Sequence, residues 1–371
     1  MDKRKIETGI VAVVIFSAFM TLSAISIVQA SIIYVPENYT LIQDAVRAAS
    51  PGDTIIVREV TYDENIEVYK PLTIRSKNGP DSTTIRAEYP DEPVFEITAD
   101  YVNINGFTVT GAYEDAGIDL SDVNYCNISN NICTNNEEGI YILVSNNNSI
   151  SSNNCSYNNM AGIILGGSSN NSISNNKCLS NINASIYILI HSCSNSVSNN
   201  TCSDSQRGIF LATAANNNSI SKNTCTNNEE GIYIVLSNNN SVSSNNCSYN
   251  TVAGIILEGS SNNSISKNTC SNNEIVGIYP ALESNNNIFY LNNFINNTEN
   301  AFYLESTNMW NSLSVISYTY NETAYQNYLG NYWDDYSRSD KNNDGIGDRT
   351  YRIDGDRDRF PLMKPWENYF S

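Results

Sequence analysis

Positive charge is the first scarcity. Lysine and arginine total 20 residues against 39 aspartates and glutamates, a formal net charge of −19. A chain this acidic lacks electrostatic footing on nucleic acid or on an anionic membrane surface. It also disfavours acidic polysaccharides unless a divalent cation bridges them. Charge of either sign is sparse, at 16% of residues. Asparagine and serine supply the polarity instead, which points to hydrogen-bonded ladders rather than ion pairs. Long apolar runs are missing beyond the N-terminal segment. There, Lys3, Arg4 and Lys5 precede an apolar stretch from Ile10 to Ala24 and a small-residue site at Val28-Gln29-Ala30, the layout of an export signal. The stretch is almost long enough to be an N-terminal anchor instead. Either way the expected location is secreted, extracellular or cell-surface, with no integral span in the mature chain.

What the chain has in abundance is repetition. Residues 131–178 match 223–270 at 39 of 48 positions, an offset of 92. Cys133, Cys155, Cys178, Cys202, Cys225, Cys247 and Cys270 recur every 22 to 24 residues. Gly139, Gly162, Gly208, Gly231, Gly254 and Gly277 keep the same period, with Ser185 in the gap. Leucine is scarce and no helical period separates the repeats, so among solenoids of this period a parallel β-helix fits and a leucine-rich repeat does not. Each unit reads as one coil with two alternating runs, such as "GIYIV" and "NSISKN", separated by Asn-rich turns. Neighbouring coils then lie about 4.8 Å apart. Ile140, Ile163, Ile186, Ile209, Ile232, Ile255 and Ile278 form one inward column, and Asn131, Asn153, Asn176, Asn200, Asn223, Asn245 and Asn268 form a column able to hydrogen-bond from coil to coil. Upstream, "TLIQDAVRAASPGD" reads as an amphipathic helix with Thr40 as N-cap and Pro51-Gly52 at its end, placed to cover the open first coil. The expected organisation is a signal peptide or anchor over 1–30, a strand and capping helix over 31–53, an all-β parallel β-helix over 54–305, and an acidic C-terminal cap over 306–371.

At this point the chain resembles a known family. "IYVPENYTLIQDAVRAASPGDTIIV" (33–57) and "ENIEVYKPLTIRS" (64–76) are similar to the opening of pectin-lyase-like right-handed β-helices. The Asn-rich coils and the ending "NYLGNYWDDYSRSDKNNDGIGDRTYRIDGDRDRFPLMKP" (327–365) resemble the NosD-type periplasmic copper-binding β-helix family, and exported or cell-surface proteins of methanogenic archaea in particular. The resemblance spans nearly all of 32–365. It implies a right-handed, single-stranded solenoid and three functions. The favoured one is a secreted or cell-surface scaffold whose partner is a glycan or another cell-envelope component. The alternatives are a polysaccharide lyase or glycoside hydrolase, and an accessory factor in copper-enzyme maturation.

The candidate chemistry divides four ways. Phe107 and Ile295 are assigned to the cysteine slot in the flanking coils, so that slot reads as apolar and the thiols as free, buried hydrophobes, with Cys126 and Cys193 outside it in turns. Copper needs His, Met or accessible Cys, and this chain offers His191, in a turn two residues from Cys193, and five unclustered methionines. One residue after each inward isoleucine, an outward stripe reads Asp119, Tyr141, Ile164, Tyr187, Phe210, Tyr233, Ile256, Tyr279 and Tyr303. Tyr141, Tyr187, Phe210, Tyr233, Tyr279 and Tyr303 are its candidate sugar-binding residues, since aromatic faces pack on sugar rings; a purely stabilising ladder is the competing reading. Among the carboxylates, Glu137-Glu138 and Glu229-Glu230 lie too far apart to act together, Arg207 is expected to meet Glu230 as a surface ion pair, and Glu114, Asp115, Asp119 and Asp122 are the candidate catalytic group. Finally, Asp340, Asn342, Asp344 and Asp348 around Gly345 match most of an EF-hand-type calcium loop, with Tyr351 where the bidentate glutamate belongs and Asp354, Asp356 or Asp358 as substitutes.

Overall fold

The computed structural model describes residues 30–370; the export-signal expectation falls on residues outside them. The repeat winds into a solenoid of parallel strands stacked coil on coil, with three strands per coil. A twelve-stranded sheet runs from Ile32–Val35 to Ile288–Tyr290 and contains the "SIS" segments (the serine sheet). An eleven-stranded sheet runs from Ile66–Val68 to Glu299–Ala301 and contains the six-residue "EGIYIV" segments (the long-strand sheet). The third is built from the cysteine segments, four strands and then seven, joined through bridges at Asn154. This cysteine sheet is a correction to the two-run reading. Its strands, such as Thr224–Thr226, are three residues long, too short for alternation to stand out between asparagines. Among the described residues no helix is long and apolar enough to cross a membrane.

Strand register settles the columns. The inward isoleucines align as read, Ile140 with Ile163, Ile186, Ile209, Ile232, Ile255 and Ile278 in turn. The cysteine slot does not. Cys133 pairs with Val109 and Cys270 with Phe294, so neither Phe107 nor Ile295 belongs to it; they stand two residues before and one residue after the true slots. The column reads Tyr62, Ile85, Val109, seven cysteines, Phe294 and Trp333. The slot is apolar along its length, and all nine cysteines are free. Burial pushes the Cys155, Cys202 and Cys247 thiols well above their usual range. Cys126, expected in a turn, is also buried, while Cys193 is partly exposed.

One asparagine column was legible; the structure holds three. Asn153, Asn176, Asn200 and Asn223 each receive both the backbone N–H and the side-chain N–H of the asparagine one coil earlier, at 2.8–3.1 Å. Parallel ladders run through Asn148–Asn308 and Asn136–Asn297. Each ladder is one-directional, every coil donating to the next, so its last donors require a pure acceptor. The C-terminal cap supplies carboxylates to two ladders directly and to the third through Asn300, with the Asn308 side-chain amide left without a partner. Asn331 donates to Asp358, Asn308 to Asp356, and Asn297 to Asn300, whose amide reaches Asp334 and Asp335. Asp358 is fully buried and also accepts from the Trp333 indole at 3.0 Å and the Phe360 N–H at 2.9 Å. Above the last coil Trp310 stacks on Phe289 at 4.4 Å and Trp333 on Phe294 at 4.6 Å.

The third ladder explains the glycine column. Each glycine lies against the ladder amide and the strand of the next coil. A Cβ on Gly231 would stand 2.5 Å from the Gly254 carbonyl oxygen and 2.9 Å from the Asn250 amide nitrogen. Ser185 breaks the column where Ser205 replaces the ladder asparagine. At the opposite end, the short helix Ile42–Ala48 lays Ile42, Ala45 and Val46 into the solenoid core. Thr40 does not cap it. Leu41 holds the N-cap position without a side-chain bond, and the buried Glu64 carboxylate of the neighbouring coil accepts the N–H groups of Ile42 and Gln43, each at 2.9 Å. A carboxylate there also complements the positive end of the helix.

Candidate functional site

The long-strand sheet carries the richest outward chemistry. Its central outward column runs Glu67, Glu96, Asp119, Tyr141, Ile164, Tyr187, Phe210, Tyr233, Ile256 and Tyr279. Tyr303 is not its continuation. Ile278 pairs with Ala301, so Phe302 follows Tyr279, ring centroids 5.3 Å apart, and Tyr303 packs against the core. The stripe is also less exposed than alternation suggested: Phe210 is buried, and Tyr141, Tyr187, Tyr233 and Tyr279 are half-buried. Tyr187, Phe210 and Tyr233 stack on one another, with centroids 4.7 and 5.1 Å apart and interplanar angles of 20° and 17°. Phe210 gives both faces to its neighbours and Tyr187 and Tyr233 give one each, so the stack offers a ligand chiefly ring edges and the Tyr187 hydroxyl.

Beside the stack stand Arg207 and Glu230, paired in register. They are no surface pair: their side chains are 19% and 13% exposed. Arg207 Nε lies 3.6 Å from Glu230 Oε2, and neither atom has a hydrogen-bond partner. The guanidinium covers Phe210 at 4.6 Å and Tyr233 at 5.4 Å and donates to Asn183 and Gln206. The Tyr233 hydroxyl donates to Glu258 at 2.5 Å. Burial and that carboxylate push the Tyr233 phenol well above its ordinary range, so it remains a donor.

The acidic group is differently composed from the one the sequence suggested. Glu114 and Asp122 are exposed, and Asp122 sits in a left-handed turn with φ 55°. Asp115 and Asp119 are instead gathered with Glu96 and Glu138. Burial is the main cause of the raised carboxyls of Asp119, to about 6, and Glu138, to about 7; the neighbouring acids add to both. Asp119 Oδ1 is buried without a partner, while Oδ2 accepts from Ser121 at 2.8 Å. Glu138 was set aside in the sequence as half of a remote pair; its register next to Ala116, one coil from Asp119, is what brings it in.

The loop 340–348 is tied by internal hydrogen bonds. Asp340 accepts the N–H groups of Asp344 and Gly345, Asp344 accepts from Ile346 and Asn342, and Asp348 accepts from Ser339 and Lys341. Asp356 and Asp358, the proposed substitutes, terminate asparagine ladders. Among the described residues no three His, Cys, Asp or Glu side chains gather as metal ligands. His191 is exposed in a left-handed turn.

Comparison with known proteins agrees with this architecture. Residues 188–338 match the family described as periplasmic copper-binding protein (NosD), and residues 94–246 match the right handed beta helix region. A cell surface glycoprotein of Methanothermus fervidus is 37% identical over 101 residues, which are 27% of this chain and 16% of that protein. The chain therefore aligns with about a sixth of that relative's length. Among solved structures, the A-module of the Azotobacter vinelandii mannuronan C-5 epimerase AlgE6 superposes with a TM-score of 0.60 at 12% identity, covering 72% of this chain and 91% of that one. The periplasmic alginate epimerase AlgG gives 0.53 at 15% identity, covering 74% and 82%. XylC, solved with xylose, gives 0.55 at 13%, covering 72% and 75%. At these identities the structures share the fold. The strand register and the right handed beta helix match make this chain a right-handed parallel β-helix, and its likeness to the NosD family lies in residues 188–338, less than half of its length.

Proposed function

We propose that the protein is a cell-surface scaffold that binds glycan on the outward face of the long-strand sheet. One observation carries the reading: a half-buried aromatic stack beside an Arg207–Glu230 pair whose Nε and Oε2 lack partners. Apolar surface with a few convergent polar groups is how proteins hold small polar ligands. The similarity to a cell surface glycoprotein supports the location. A glycan panel screened with the folded protein and with Tyr187→Ala plus Tyr233→Ala tests it. The wild type is expected to retain at least one polymer that the double variant loses. Equal retention of every polymer by both removes the idea.

A second reading is favoured by the acidic group. Carboxyls raised to about 6 and 7 at Asp119 and Glu138 hold protons near neutrality, as a general acid for sugar cleavage must. New reducing or unsaturated ends released from a polysaccharide panel, and lost in Asp119→Asn, would support it; their absence excludes it.

A further inference from the structure

Where each long strand turns towards the serine sheet, one backbone position is left-handed in every regular coil. Val144, Ile190, Leu236 and Leu282 occupy it with φ of 51°, 48°, 49° and 49°. These side chains are 53%, 56%, 62% and 51% exposed. Large aliphatic residues are strained in this region, β-branched ones most of all, and leaving them in water forgoes the gain of burial. The coils between use Gly167, Thr213 and Gly259, so bulk is not a requirement of the fold. The bulky residues are 46 residues apart, two coils, and Tyr141, Tyr187, Tyr233 and Tyr279 keep the same interval. The sheet edge is therefore corrugated. Aliphatic knobs recur roughly every 9.6 Å, twice the strand spacing, with Gly167, Thr213 and Gly259 between them, alongside an aromatic column that Phe210 makes continuous from Tyr187 to Tyr233.

The face is also close to neutral within an acidic chain. Its outward charges between Ala161 and Leu282 are Arg207, opposite Glu230, and Glu258, which holds the Tyr233 hydroxyl. A uronic-acid polymer would find no unpaired cation here and would meet Glu96, Asp119 and Glu138 if it extended towards the first coils. A neutral polymer is not repelled, and the apolar faces of its rings can cover the exposed knobs. We propose that the corrugated face binds a neutral, linear polysaccharide lying parallel to the solenoid axis, alternate sugars seated between successive knobs. This rests on the glycan-binding reading above and narrows its ligand.

The test uses the folded protein with neutral cello- and chito-oligosaccharides of two, four and six sugars, an oligogalacturonate hexamer, and the variant Ile190→Gly plus Leu236→Gly. Gly167 and Gly259 show that the column accommodates glycine, so the variant is expected to fold with a melting temperature close to wild type. Affinity for at least one neutral series should tighten severalfold with each added pair of sugars, the galacturonate hexamer should bind at least tenfold more weakly, and the variant should lose most of the gain from length. Tighter binding of the galacturonate, or neutral binding that ignores chain length or survives in the variant, overturns this inference while leaving glycan binding intact. Failure of every glycan to bind overturns both. A concentration-dependent dimer abolished by the variant, without glycan binding, would identify the row of knobs as a self-docking face and overturn it as well.

Discussion

Ser185 and Ser205 offer a sharp test of how the solenoid is held together. In the regular coils the third-ladder asparagine donates its amide to the cysteine carbonyl one coil earlier, as Asn181 does to Cys155 at 3.0 Å and Asn228 to Cys202 at 3.1 Å. At the exceptional coil Ser205 is too short to do so. Ser185 takes over, its hydroxyl 2.8 Å from the Cys178 carbonyl and 3.0 Å from Ser205 Oγ. Ser185→Gly alone removes that donor from a buried carbonyl, at a cost of about 1–3 kcal/mol. Ser205→Asn alone drives an amide into the occupied Ser185 position, overpacking worth about 1–3 kcal/mol. Made together they regenerate the ordinary coil, in which glycine faces asparagine, and the cost should nearly vanish. Guanidinium denaturation of the four proteins, followed by circular dichroism, should give a coupling energy of about 2 kcal/mol or more, whereas independent sites add to within about 0.5 kcal/mol. Simple additivity would refute the claim that the two serines are one compensated replacement.

Two further outcomes follow from buried groups. Asp119 and Glu138 hold protons to about pH 6 and 7 when folded, above their unfolded values, so the folded state binds more protons between roughly pH 4 and 7 and stability falls as pH rises through that window. Melting temperatures at pH 4, 6 and 8 should show this fall, and Glu138→Gln should flatten it and melt higher than wild type at pH 8; an unchanged profile would count against the cluster. Thiol titration of the native protein should modify Cys193 alone, with all nine cysteines reacting after denaturation; native labelling of Cys225 would break the buried column.

The sequence by itself determined the solenoid. A period of 22–24 residues with isoleucine, glycine and asparagine in fixed phase leaves each coil unable to bury its apolar side chains alone, and stacking equivalent positions is the physical solution. The inward columns, the free thiols and the acidic, aromatic nature of the last segment were all readable from residue type. What only the tertiary structure decided depends on register and direction. Strand register, which shifts the reading by one or two residues, put Val109 and Phe294, rather than Phe107 and Ile295, in the cysteine slot, and Phe302 rather than Tyr303 on the stripe. That Asp356 and Asp358 terminate asparagine ladders was not readable, because sequence shows their charge but not the donors at the ladder ends. The stripe looked like open aromatic faces because alternation assigns a side to each residue and says nothing of the ring on the next coil. Two short-range signals, a residue's type and its phase in the repeat, fix which columns exist; what each column does depends on its neighbours about 4.8 Å away, which lie a full coil distant along the chain.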